Sequence, residues 1–274
     1  MQKGTRIRLF ITVFTTIILL SCGGGFRKLE KNDDWKIKYE GALAYYENED
    51  YSRASILFEQ ILPIVRGMPE GENVQFKLAY CHYYQNSFLL SSHYFKTFYE
   101  TYARSEHAQE AQYMYAYSLY ADSPVYNLDQ TSSYEAIDAM QNFVNKYPNS
   151  TFRDEASNVI DEMQQKLETK AYEKAKQYGK LRMYKSAIVT FENFRKDYPD
   201  SDYNEEIMFL KIQAQFDLAE QSLSSLQKER YLEVKKSYEY FIDFYPTSDF
   251  LKIAEKYYAK SIENLSKFAT QNIN

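Results

Sequence analysis

The 274-residue chain carries 38 Asp and Glu against 33 Lys and Arg, a formal net charge of −5, so it offers no cationic surface for a phosphate backbone and nucleic acid is not an expected partner. Eight glycines, three histidines and two cysteines leave little from which to build a glycine-rich phosphate loop, a histidine metal site or a thiolate cluster. With 28 tyrosines and 18 phenylalanines, the apolar surface that must be buried is largely aromatic.

Residues 1–21 read as a signal peptide: Lys3, Arg6 and Arg8 form a positive start, Leu9 to Leu20 an apolar run too short to span a bilayer, and Ser21-Cys22 a small-residue cleavage point. Leu19-Leu20-Ser21-Cys22 resembles the lipobox of bacterial lipoproteins, which implies acylation of Cys22 and a mature chain that starts there. Each buried acyl methylene contributes about 0.8 kcal/mol, so several chains give a lasting membrane anchor where one would be marginal. Gly23-Gly24-Gly25 follows as a tether, and residues 22–34 are assigned to the lipidated cysteine and this lead-in. Cleavage removes three basic residues and no acidic ones, leaving 30 against 38 and a net charge of −8. Lipidation of Cys22 leaves Cys81 without a disulfide partner; within Lys77-Leu78-Ala79-Tyr80-Cys81-His82 it is expected as a packed thiol.

From Trp35 onward the chain repeats. The cleanest copy, Glu168 to Ser201, sets Ala175, Tyr178, Tyr184, Ala187, Phe191, Phe194 and Pro199 at the offsets of a tetratricopeptide repeat, with small residues where two helices cross and aromatics around them. The first repeat predicts helices over Trp35–Glu47 and Tyr51–Leu62, ended by Pro63 and Gly67, with Ala42, Tyr45, Tyr51, Ala54 and Phe58 at the same offsets. The second runs over Asn73–Gln85 and Phe88–Tyr102, with Ala79, Phe95 and Phe98 packed and Ser91 as its small crossing residue. In the third, a helix after Ser105 is interrupted by Ala121-Asp122-Ser123-Pro124, and a second starts at Ser132, where Glu135 completes a capping-box pattern and Ala136, Met140 and Phe143 follow. A long helix from Thr151 to Tyr178 opens the fourth repeat. The fifth spans Asp202–Glu220 and Glu229–Pro246 around a polar Ser/Gln insert, and a last helix, Asp249–Phe268, places Leu251, Ala254, Tyr258, Ile262 and Leu265 on one face as a cap.

Four of these units close alike: Thr-Tyr-Ala-Arg-Ser at Ser105, Lys-Tyr-Pro-Asn-Ser at Ser150, Asp-Tyr-Pro-Asp-Ser at Ser201 and Phe-Tyr-Pro-Thr-Ser at Ser248. The predicted fold class is therefore all-α, a tetratricopeptide-repeat solenoid of about five helical hairpins plus a C-terminal capping helix. Repeats 1–3 occupy 35–150, and repeats 4–5 with the cap occupy 151–274; the long helix is available to be shared between two lobes.

His82, His93 and His107 fall at no metal-ligand or catalytic spacing, so no enzyme activity, cofactor or metal is expected. The feature that remains is aromatic. The first helix of each repeat lines the concave face of such arrays, and its groove offsets select Tyr39 and Tyr46, then Phe76, Tyr80 and Tyr83, then Tyr113, Tyr117 and Tyr120. These are peptide-groove candidates, because tyrosine offers apolar area with a hydroxyl that tolerates water; the competing reading is that some simply pack against neighbouring helices.

Taken together, Cys22, the segments Lys146–Ser150 and Asp197–Ser201, and the opening Tyr45–Phe58 repeat followed by Leu62-Pro63 resemble the BamD family, lipoproteins of the outer-membrane β-barrel assembly machinery. The resemblance implies a non-catalytic scaffold, lipid-anchored on the periplasmic face of the outer membrane. It further implies docking through the C-terminal repeats on the POTRA domain of the barrel subunit. The N-terminal groove would receive the C-terminal signals of unfolded outer-membrane proteins, which end in an aromatic residue. Ala103, where the other closing turns have proline, and the tyrosine content depart from the family pattern, so interface residues do not carry over singly. An alternative of the same fold is a periplasmic lipoprotein coordinating cell-wall synthesis or another envelope complex, though no heptad run lies between Cys22 and Trp35. A glycan-capturing lipoprotein would need insertions that this chain lacks.

Overall fold

The computed structural model describes residues 25–271, with side chains to 268, so the signal peptide of residues 1–21 and the lipidation expected at Cys22 lie outside the described residues. The described chain is helical throughout its ordered elements and contains no strand. A short α1 (25–30) leads in, and the elements that follow are α2 (Trp35–Glu47), α3 (Tyr51–Val65), α4 (Pro69–Tyr84), α5 (Phe88–Thr101), α6 (Ala108–Asp122), α7 (Thr131–Lys146), α8 (Arg153–Lys180), α9 (Tyr184–Asp197), α10 (Asn204–Glu220), α11 (Ser224–Phe244) and α12 (Leu251–Gln271). The chain divides into two compact units at Met163/Gln164, inside α8. The first holds α2/α3, α4/α5 and α6/α7 with the start of α8. The second holds the remainder, in which α10 packs on α9, α11 and α12.

The small residues picked out by the repeat offsets are the ones the helices cross on. Ala42, Ala54, Ala79, Ser91, Ala116, Ala136, Ala175 and Ala187 all have 0 % exposure, and the phenylalanines beside them, Phe58, Phe95, Phe98 and Phe143, are as deeply buried. Where Ser91 stands in for alanine its hydroxyl meets that of Ser118 at 3.0 Å, and Ser118 also donates to the Met114 carbonyl at 2.7 Å, so neither polar group is left unmatched in the core.

Two turns account for most of the chain's punctuation. The hairpin turn recurs after α2, α4 and α8: the second residue past each helix, Glu49, Asn86 and Arg182, sits in the left-handed region at φ 60°, 58° and 58°. The next amide reaches back five residues, Asp50 N–H to Tyr45 O, Ser87 N–H to His82 O and Met183 N–H to Tyr178 O at 2.9–3.0 Å, the bond that satisfies last-turn carbonyls in a Schellman ending. The closing turn explains the Tyr-Pro-x-Ser signature. The amides of Tyr102, Tyr147, Tyr198 and Tyr245 each return to a phenylalanine carbonyl at 2.8–2.9 Å. The serine oxygens of Ser105, Ser150, Ser201 and Ser248 accept the amide two residues on, at 3.0–3.2 Å. The residue after the tyrosine donates no bond in this pattern, so proline fits there and Ala103 serves equally.

Five local readings need correction. Pro63 does not end α3, which continues to Val65; the proline forfeits the bond to the Glu59 carbonyl and crowds it, and the full burial of Val65 holds the last turn in place. The second repeat starts at Pro69 rather than Asn73, because proline suits the first helical position and Glu70 and Glu72 favour the positive helix start. The Ser132–Glu135 capping box does not form. Instead α7 starts at Thr131, whose amide bonds Asp129 Oδ1 at 3.0 Å, and Ser132 Oγ turns to Asp122 at 3.3 Å. The polar insert of the fifth repeat is mostly helix, since α11 begins at Ser224 and is tied back to α10 by Tyr231 on Glu220 and Arg230 on the Leu218 carbonyl. On α12 the buried face runs through Leu251, Ala254, Tyr257 and Ser261 to Leu265; Tyr258 is half-buried against Tyr238, whereas Ile262 is exposed rather than on that face.

The two backbone features generate opposite expectations. Glu49→Gly relieves a left-handed conformation that costs an L-residue about 1 kcal/mol and should raise the urea midpoint. Gly71→Ala would set a Cβ 2.4 Å from the Val65 carbonyl oxygen and should lower stability by about 1–3 kcal/mol, against the usual gain from replacing a helical glycine. Equal midpoints for the two variants would contradict both arguments.

Candidate functional site

The first helices of the repeats in the N-terminal unit, α2, α4 and α6, carry the eight aromatic candidates, and all of their rings but Tyr39 are linked, through Tyr51 and Tyr84, in a continuous array. Tyr46 meets Tyr51 edge-on at 5.5 Å, Tyr51 stacks on Tyr84 at 4.4 Å, and Tyr84 stacks on Tyr80 at 5.7 Å. Tyr80 meets Phe76 at 5.1 Å, which stacks on the His107 ring at 4.5 Å. A second branch runs from Tyr84 through Tyr83 to Tyr117 at 5.6 and 6.3 Å, and from Tyr117 to Tyr113 and Tyr120 at 5.5 and 5.4 Å. Edge-on and offset contacts of this kind add about 0.5–1.5 kcal/mol per pair beyond area burial.

The candidates do not share one environment. Tyr39, Tyr46, Phe76, Tyr80, Tyr83, Tyr117 and Tyr120 are half-buried, whereas Tyr113 is 3 % exposed and lies behind the face, stacked on Phe152 at 4.6 Å. Tyr84, outside the groove offsets, joins both branches and is 47 % exposed. Its signal in the sequence is the Tyr83-Tyr84 doublet at the end of α4, parallel to Tyr45-Tyr46 at the end of α2. Lys77 places its ammonium 4.3 Å from the centre of the Tyr46 ring, a cation–π contact on the same face.

Three of the candidate phenol hydroxyls reach from the first helix of one repeat to the first helix of the next, whereas the buried hydroxyl of Tyr113 finds no hydrogen-bond partner among the described residues. Tyr80 bonds Glu110, Tyr120 bonds Glu162 Oε2 at 2.8 Å, and Tyr39 reaches Asn73 Oδ1 at 3.4 Å. The C-terminal unit repeats the device: Tyr172 bonds Glu206 Oε2 at 2.5 Å, and Lys176 joins them, 2.6 Å from the phenol and 3.0 Å from the other carboxylate oxygen. A neutral phenol donating to a carboxylate makes a charge-assisted bond, which favours the protonated phenol. Burial first and Glu110 second hold Tyr80 well above the usual phenol range. Tyr113 is raised likewise by burial and by Glu155, and the Glu162 bond with burial pushes Tyr120 up to about 12. Glu206 is held below the usual carboxylate range: burial alone would raise it, but its bonds to Tyr172 and Lys176 together outweigh that.

The remaining titratable side chains also pack. Cys81 is fully buried, and burial pushes its thiol up to about 12, so it is a core residue rather than a nucleophile. His82 lies flat on Tyr94 with ring centres 5.1 Å apart and its Nε2 3.3 Å from Glu59; burial lowers its basicity, with Glu59 opposing. His93 meets the edge of Tyr94 at 5.6 Å. Among the described residues no group of three or more His, Cys, Asp or Glu side chains could hold a metal ion, and no helix is long and apolar enough to cross a membrane.

Paired helices crossing on small residues, hairpin and closing turns of fixed chemistry, and an aromatic first-helix face define an all-α tetratricopeptide-repeat protein. Over residues 31–225 the chain matches the family YfiO, described as an outer membrane lipoprotein, and it belongs to that BamD-type family, a family of the cell envelope. No curated protein matches it. Among solved structures, the nearly identical tetratricopeptide-like repeats of a protein described as a kinesin light chain from Podosopora anserina align at 13 % identity. That alignment covers 74 % of this chain and 93 % of the other at a TM-score of 0.32, a likeness too slight to inform this chain.

The phenol bonds make the fold sensitive to alkali in a defined window. An unfolded phenol ionises near 10, while the Glu162 bond holds Tyr120 and burial holds Tyr99 near 12, so the folded chain keeps protons that the unfolded chain loses. Their contribution is complete below pH 10 and disappears as pH rises through 12. Urea midpoints should therefore fall between pH 9 and pH 11, and Tyr120→Phe should fall less than the parent; equal losses would remove Tyr120 from the account.

Proposed function

We propose that this chain is a non-catalytic scaffold of the outer-membrane β-barrel assembly complex. Acylated at Cys22 and held on the periplasmic face of the outer membrane, it docks on the POTRA domain of the barrel subunit through its C-terminal repeats. Its N-terminal aromatic face receives the C-terminal signals of unfolded outer-membrane proteins. The observation that carries the reading is the family match over residues 31–225, which spans the aromatic face and extends into α11. The face supports it physically. Its rings are braced by one another and by the phenol–carboxylate bonds, so an incoming aromatic chain end meets a surface that is already ordered and loses little extra entropy in settling there.

The test is recovery of partners from membranes solubilised in mild detergent, using a C-terminal tag on the full chain. A POTRA-bearing barrel protein in near-equal amount is the expected result. Cell-wall enzymes in its place, or no partner, would overturn the assembly reading. Cys22→Ala should in addition leave the mature chain unacylated and out of the membrane fraction.

A further inference from the structure

In the C-terminal unit the α8/α9 turn reads Lys180-Leu181-Arg182-Met183-Tyr184-Lys185, and the α10/α11 turn Gln221-Ser222-Leu223-Ser224-Ser225-Leu226-Gln227-Lys228. Residues of both line one open cleft of about 480 Å³, so the two turns lie side by side at one edge of the unit. Four apolar side chains stand out from them: Leu181, Met183 and Leu226 are exposed, and Leu223, at 75 %, is the most exposed large hydrophobic residue described. Turn geometry does not ask for these residues. The same left-handed turn is built from Glu47-Asn48-Glu49-Asp50 after α2 and from Gln85-Asn86-Ser87 after α4.

The charges around these tips are positive in excess. The cleft is lined by Arg182, Lys185 and Arg230 and by no carboxylate. Over residues 180–186 and 221–230, Lys180, Arg182, Lys185, Lys228 and Arg230 stand against Glu229 alone. Neighbours from α8 and α10 lessen the excess without removing it. Asp217 lies near Arg182 and Glu220 near Asp217, while Glu206 lies near Lys180 and is itself paired with Lys176 at 3.0 Å. With all of these counted, six positive charges face four negative ones, in a chain whose net charge is −5. Exposed apolar residues are not paired with basic ones throughout the chain: around the loop of the other unit that exposes Val125 and Leu128, no Lys or Arg occurs between Arg104 and Lys146.

We infer that this edge docks on an anionic phospholipid bilayer, with Leu181, Met183, Leu223 and Leu226 entering the boundary between headgroups and acyl chains while Arg182, Lys185 and Arg230 meet lipid phosphates. Protruding tips suit a bilayer, which closes around them, better than a folded protein, which would have to offer a matching pocket for each. Long cationic side chains lay their methylenes on the apolar layer and keep their charged ends at the phosphates. An acidic chain is otherwise repelled by such a surface, so the edge also decides which side of the unit faces it. The inference goes beyond the assembly reading and does not rest on it. Acylation at Cys22 would fix only the start of the chain, whereas the edge brings the C-terminal unit to the membrane as well. Its attachment is weak and reversible, as that of a single acyl chain is, so a Cys22→Ala chain still leaves washed membranes.

The test is sedimentation of the full mature chain carrying Cys22→Ala, and so without any acyl chain, with an excess of vesicles of phosphatidylcholine alone or with one-third phosphatidylglycerol. Binding to the anionic vesicles should be tighter by about tenfold or more and should fall steeply as salt is added. Arg182→Glu with Lys185→Glu, and separately Leu181→Ser with Leu223→Ser, should each weaken it by about fivefold or more without lowering the melting temperature, since all four side chains are exposed. Lys252→Glu with Lys256→Glu, the same change of net charge at exposed positions of α12, should leave most of the binding intact. Equal binding to both kinds of vesicle, binding to neither, undiminished binding by either turn variant, or an equal loss in the α12 variant would overturn the proposal. Binding of a polyglutamate peptide through Arg182 and Lys185 while the vesicles stay bare would assign the edge to an acidic protein and overturn the bilayer. The vesicles contain no protein, so failure to recover a POTRA-bearing partner would leave these outcomes unaffected, and the two readings fail separately.

Discussion

The register between successive hairpins depends on a phenol reaching a carboxylate on the first helix of the next repeat. Tyr80 with Glu110, Tyr120 with Glu162 and Tyr172 with Glu206 are 30, 42 and 34 residues apart in sequence, yet each joins the first helix of one repeat to the first helix of the next. Long loops and long helices change the spacing without changing the bond. A tyrosine suits this role because its ring fills the gap left by small crossing residues while its hydroxyl satisfies a polar partner at the edge of the core. A phenylalanine would fill the gap but leave the carboxylate half-desolvated and unmatched.

That arrangement also limits what the aromatic face can offer a partner. Three of its hydroxyls, those of Tyr39, Tyr80 and Tyr120, are already committed between repeats, so there a bound segment would meet ring faces and edges, and Tyr84 is the most open ring of the face. A braced, half-buried ring array recognises apolar and aromatic groups by shape with little ordering cost.

Much of the fold was legible because the repeat imposes residue types at fixed offsets. Every small residue chosen as a crossing point is fully buried, and the three Tyr-Pro-x-Ser segments share one hydrogen-bonded turn with the proline-free copy at Tyr102–Ser105. What escaped the sequence depended on local competition. Ser132 had a capping pattern but Asp129 was better placed, and Pro63 looked like a stop but Val65 had a core to enter. The aromatic face was legible as composition, not as bonding. No sequence rule marks Glu110 or Glu162 as phenol acceptors, because their partners lie a whole repeat away and the spacing varies. Tyr84 was missed for a related reason: it joins two rows of rings, a role defined only once the rows are adjacent.

The most direct measurement of the account is a double-mutant cycle between Tyr80→Phe and Glu110→Ala, read from urea unfolding of the mature chain. If the phenol–carboxylate bond sets the register, the two changes will be coupled by about 1–2 kcal/mol, the double variant losing far less than the sum of the singles. Additive losses, with a coupling near zero, would mean that the rings alone hold the repeats together and would contradict the account.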